Sequence, residues 1–154
     1  MAVSTALPTG AGGFMYQFLD RKLDELDAAS LFLLREIREW VSSVQAGRCP
    51  CRTTARNFAT VGLESIAEDF GMALFTLNGD GLQQLQLAKP GCLAVRDDEA
   101  RLLALFQSAA DGDGYRLQQL AATLVEEPAM ARLMQSVSVT AAHIAATHVS
   151  TRFD

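Results

Sequence analysis

The segment GRCPCR, residues 47–52, concentrates reactive chemistry: Cys49 and Cys51 flank Pro50, and Arg48 and Arg52 stand outside them. Guanidinium groups beside a thiol favour the thiolate, which is both the nucleophilic and the metal-binding form. A third cysteine, Cys92, lies in a second turn-rich stretch, KPGCL. Cys49, Cys51 and Cys92 are therefore the candidate metal or redox residues. A structural zinc site normally has four ligands, so His143 or His148 would have to complete it. Cys-x-Cys is tighter than the usual zinc knuckle, and no second cysteine pair exists. A meeting of all three is geometrically allowed. A helix of about 25 residues carries the chain some 37 Å away from Cys51, and residues 78–92 can return about 50 Å if extended. That route needs residues 82–88 to run extended. The competing reading is three free thiols that behave as small hydrophobes. No cofactor is expected, with zinc as the alternative.

The other candidates are weaker. His143 and His148 lie five positions apart, which does not place both on one helix face. EDFG at 68–71 has the letters of a kinase magnesium motif, but it falls in a helical stretch and the glycine-rich loop and HRD are missing. Asp97/Asp98 and Glu126/Glu127 open helices, where they complement the dipole. Two similar stretches, NGDGLQQLQL at 78–87 and DGDGYRLQQL at 111–120, suggest calcium loops or a repeat. Calcium loops need oxygen ligands at positions 1, 3 and 5, Gly at 6 and Glu at 12. Counting from Asp111 gives Tyr115 at position 5 and Ala122 at 12; counting from Asn78 gives Leu82 and Lys89. The stretches read instead as two helix-ending turns followed by common helix formers, in preference to an old duplication. No constellation of nucleophile, acid and base is present, and the chain reads as non-enzymatic.

Composition limits the partners. The 154 residues carry a net charge of −5, with only 13 Lys and Arg, spread out. Nucleic acid and polybasic membrane contacts are therefore not expected. No secretory signal is visible, no run reaches the roughly 18 apolar residues of a membrane span, and three cysteines do not suggest a disulfide framework. These features together read as cytoplasmic. Hydrophobic residues make up 49%, enough for one core and a surplus for a partner or a self-interface.

The elements that must position these residues are helical. Residues 1–13 read as a flexible arm, and residues 14–154 as the bundle domain, with Phe14, Met15, Tyr16 and Phe18 anchoring the arm. Leu23, Leu26, Leu33, Leu34, Ile37, Val41 and Val44 predict a first helix over 23–46, with REIRE on its outer face, Trp40 at the core edge and Gly47 as the stop. A second helix begins at Thr53 or Thr54 and carries Leu63, Ile66, Phe70, Leu74 and Leu77. It contains Gly62, a possible break, and Gly71; close approach of a neighbouring helix is the expected reason for both glycines. Residues 82–88 fit a helical turn or a short strand equally well. Asp97 opens a third helix, Asp113 caps a fourth, and Pro128 sits in the first turn of a last, Ala- and Val-rich helix.

The expected fold is all-α: a single-domain antiparallel bundle of four to five main helices. The expected role is a non-enzymatic helical protein working through protein contacts, as a homodimer or other homo-oligomer. A metal- or redox-sensing domain on the three cysteines is the alternative. A third reading is a ligand pocket lined by Phe58, Phe70, Phe75, Phe106 and methionines.

Overall fold

A computed structural model describes residues 17–147. The expected arm 1–13, the anchoring residues Phe14, Met15 and Tyr16, and His148 lie outside them. Six α-helices follow in order: α1 Ala28–Gln45, α2 Pro50–Thr60, α3 Ala67–Asp80, α4 Asp97–Ala110, α5 Gly114–Leu124 and α6 Glu127–Ala146. Among the described residues, extended pairing is limited to two isolated bridges, Lys22 with Ala94 and Gly81 with Val125. The fold is all-α, and no helix of the described residues is long and apolar enough to cross a membrane.

The helix boundaries follow local chemistry. Asp27 caps α1 by accepting a 2.7 Å bond from the Ser30 N–H, so the helix starts five residues later than its apolar stripe. Leu23–Glu25 form only a single 3-10 turn before it. The second expected helix is two. It opens earlier than the threonines, because Pro50 fits the first helical position, and it stops where Gly62 takes φ 77°. A 3-10 turn, Glu64–Ile66, then leads into α3. Asp113 caps α5 through the Arg116 N–H at 3.1 Å, and Pro128 lies in the first turn of α6. The two Gly/Asp stretches do end α3 and α4. Their carboxylates meet arginines: Asp80 meets Arg132, and Asp111 meets Arg116 at 2.7 Å.

Helix α6 packs against α3, α4 and α5, while α1 packs on α2 and α4. Small buried residues, Ala129, Ala141 and, across from them in α3, Ala73, allow that close approach. The core between the helices includes Phe58, Phe70, Leu105, Phe106 and Leu133, each 1% exposed or less. Buried hydroxyls bond back within their own helices: Thr140 to the Ser136 carbonyl at 2.9 Å and Ser108 to the Ala104 carbonyl at 2.8 Å. Phe58 touches both Phe32 and Phe70 at ring-centroid distances of 5.0 Å, and Phe70 touches Phe106. These rings fill the core, so the expected aromatic pocket is closed; Phe75 alone of its four aromatic members is exposed.

Gly71 departs from expectation in a useful way. A Cβ added there would meet nothing within 4 Å. No neighbouring helix of the described chain accounts for this glycine.

Candidate binding cleft and the buried groups around it

Residues 81–96 connect α3 to α4 without helix or strand, against both readings of 82–88. Some of their backbone groups bond to other backbone, as the Leu82 N–H does to Leu124 and the Val95 N–H to Arg21, and side chains supply partners for others. The carboxylate of Glu99, in the first turn of α4, accepts from the Ala88 N–H and the Arg96 N–H, both at 2.9 Å. Asp98 accepts from the Gln86 N–H at 2.7 Å. From α1, Arg38 donates to the Cys92 carbonyl at 2.7 Å and the Ala94 carbonyl at 2.9 Å. Arg38 and Glu99 close the system with two bonds of 2.8 Å. Their side chains are 2% and 0% exposed. REIRE is therefore only partly an outer face: Arg35 is exposed, but Glu36 and Arg38 are buried. Burial pushes the Glu99 carboxyl up, but the bonds from Arg38, Arg96 and Ala88 outweigh it and hold the carboxyl below its ordinary range. The same contact raises the Arg38 pKa further.

Fixed in this way, the connection forms one wall of a cleft of about 440 Å³. Ile37 and Val41 of α1, Leu74 and Leu77 of α3, and Leu85 and Leu87 of the connection give it an apolar lining. Gln45, Asn78, Gln83 and Gln84 supply amides, and among the described residues no charged side chain lines it. Trp40 forms another part of the wall. The indole is fully inside the fold, not at the core edge, and its buried Nε1–H has no hydrogen-bond acceptor among the described residues. The Trp40 ring meets Phe75 edge-on at 5.1 Å. Neither this cleft nor a role for Trp40 in it is legible in the sequence, where the one signal is a single indole donor flanking an apolar stripe.

The outer side of α3 lies beside it. Met72 and Phe75 are 47% and 48% exposed. With Gly71, Asn78 and Gly79 they form an uncharged strip along the helix.

A second cleft, about 520 Å³, opens between α1, α2 and residues 90–93 and contains Glu36, Asn57, Arg35 and Glu39. The Asn57 amide donates to both Glu36 oxygens at 3.1 Å. Burial raises the Glu36 pKa to about 7, against the Asn57 bond and with the help of the nearby Glu39 charge.

The cysteines separate into two settings. Cys49 is the N-cap residue of α2 and Cys51 lies in its first turn, both exposed. Cys92 is half-buried, with its Sγ 3.5 Å from the Ala94 carbonyl. Its own carbonyl is tied to Arg38, about 10 Å back along α1 from that helix's last residue. Among the described residues, no group of three or more His, Cys, Asp or Glu side chains could hold a metal ion. His143 is exposed, with Nδ1 2.9 Å from the Val139 carbonyl. The Cys49 side chain makes no capping bond of full geometry. Even so, the Cys51 N–H and thiol, then the Arg52 N–H and charge, hold its thiol below the ordinary range. Desolvation and the neighbouring Cys49 push Cys51 up. Alkylation of the intact protein followed over pH, with mass mapping, should therefore label Cys49 first and at lower pH than Cys51. Equal rates at the two positions would contradict this ordering.

No family model matches the sequence, and no significant match exists among curated proteins or solved structures.

Proposed function

We propose that the chain is a non-enzymatic helical protein that works by contact, and that it pairs with a second copy through the outer face of α3. One observation carries the reading. Gly71 sits inside a helix with its Cβ position empty, directly beside half-exposed Met72 and Phe75. A glycine there weakens α3 by about 1 kcal/mol relative to alanine, and nothing among the described residues compensates for it. Close approach of a partner helix does so, and it buries Met72 and Phe75 at the same time. The charge distribution favours a second copy as that partner. A net charge of −5 sets acidic surfaces against each other, whereas this strip is uncharged and can meet itself without burying a charge. Closed two-fold dimers are the commonest oligomers and need one self-complementary patch. Three free cysteines fit a reducing compartment such as the cytoplasm.

Light scattering on sized fractions should show a concentration-dependent dimer. Gly71→Ala should weaken it while leaving the dilute protein more stable by up to about 1 kcal/mol. Phe75→Asp should leave a monomer at all concentrations. A native chain that stays monomeric at high concentration removes the proposal. Metal or redox work by the cysteines, the other reading, is supported only by the Cys49–Cys51 pair, since Cys92 is held elsewhere.

A further inference from the structure

We infer that the cleft beside Trp40 is a binding site for a neutral amphipathic small molecule, one with an apolar body and a hydrogen-bond acceptor such as a carbonyl. The contact face above does not require this site, and the two can fail independently. Three observations converge on it. The first is size: about 440 Å³ lies within the range of small-molecule pockets. The second is the lining. Leucine, isoleucine and valine side chains dominate, and amides from Gln45, Asn78, Gln83 and Gln84 accompany the indole as the polar side chains, so among the described residues no counter-ion awaits a charged ligand. An ion entering such a site loses its hydration and meets no opposite charge, only neutral donors and acceptors. The third is the indole of Trp40. A buried Nε1–H with no acceptor is a rare and unfavourable arrangement. Bulk solvent does not reach the indole N–H, and Trp40 itself lines the cleft, so an acceptor on a ligand in the cleft would complete this bond after a small adjustment of the wall. An acceptor atom on an otherwise apolar ligand supplies that bond and selects for the ligand class.

The chain contains one tryptophan, Trp40 itself, so its fluorescence reports the site directly. The probes are nonan-2-one, nonanoate and nonylammonium, which share a chain length and differ in the polar end. Nonan-2-one should shift the Trp40 emission saturably, and both ions should bind about ten-fold or more weakly. Calorimetry on Trp40→Phe should show nonan-2-one bound about five-fold more weakly, the loss of one hydrogen bond. Val41→Phe, which fills the cleft, should abolish binding; if that variant does not fold, Leu85→Phe provides the same block from the connection. The inference is overturned if nonan-2-one gives no saturable shift, if either ion binds as well, or if Trp40→Phe binds unchanged. It is also overturned if binding disappears as rising protein concentration drives dimer formation, because the cleft then receives a side chain of the second copy.

Discussion

Arg38→Met lowers the unfolding free energy by about 3–5 kcal/mol, and Glu99→Leu does the same, because each leaves the other charge buried and unpaired. The two side chains are 2% and 0% exposed, so water cannot take over the lost role. The double variant Arg38→Met/Glu99→Leu distinguishes two contributions. Buried ion pairs are often replaceable as a unit, since removing both charges also removes both desolvation penalties. Here the pair also bonds four backbone groups of the connection: the carbonyls of Cys92 and Ala94 and the N–H groups of Ala88 and Arg96. The double variant therefore recovers the charge term but remains about 1–3 kcal/mol below the native chain. Hydrogen exchange should locate the residual loss at Ala88 and Arg96, whose amides open while those of α4 and α6 stay protected. Denaturant titration of the four proteins closes the cycle. A double variant as stable as the native chain, with an ordered connection, shows that the backbone bonds contribute nothing. Loss of the connection also removes Leu85 and Leu87 from the cleft wall, so the same variants should lose nonan-2-one binding.

What the sequence makes legible is what depends on near neighbours. The stripe Leu63, Ile66, Phe70, Leu74 and Leu77 is buried as its spacing requires. Asp113 and Pro128 stand at helix starts because capping and a missing N–H act within one turn. The glycine alone marks a possible break at Gly62. Threonine is a commoner cap than cysteine, so the sequence points to Thr53 or Thr54, while Pro50 sets the true start of α2. Long-range features are hidden. Arg38 in REIRE looks like a solvated face until Glu99, 61 residues away, reaches it. Likewise, residues 82–88 carry no helix or strand ladder: carboxylates of α4 accept from the Gln86 and Ala88 amides, and the Leu124 carbonyl of α5 accepts from that of Leu82. Nor can periodicity separate a core indole with an acceptor from one without, which is why the site at Trp40 emerges only from the packed structure. The cysteines illustrate the same limit: Cys49 and Cys51 are brought together by two residues of chain, but the position of Cys92 is decided by Arg38.

Glu36 makes the second large effect one of pH. Its carboxyl is held at about 7 in the fold, against 4.5 for an exposed group, mainly by burial. The folded chain thus keeps a proton that the unfolded chain has released, and stability must fall as pH rises through that interval. The Glu36 contribution is fully present below about 4.5, declines between about 4.5 and 7, and is gone above. At 1.36 kcal/mol per pH unit the total is at most about 3 kcal/mol, an upper bound because the carboxyl borders an open cleft. Glu36→Gln keeps the shape and the contact with Asn57 but cannot ionise. It should be more stable than the native chain by about 2–3 kcal/mol above pH 7 and nearly equal to it at pH 4.5. Asn57→Ala removes the bond that favours the charged form, so it should move the transition to higher pH, whereas Glu39→Gln, by removing a like charge, should move it lower. Glu99 acts in the opposite sense. Its depressed carboxyl contributes stability above the unfolded value that is lost only as pH falls through its folded value. The native chain should therefore be most stable in mildly acid solution, between the Glu99 loss on one side and the Glu36 loss on the other. Urea titrations across this range test both arms, and superimposable pH profiles for Glu36→Gln and the native chain would rule out a buried, proton-holding Glu36.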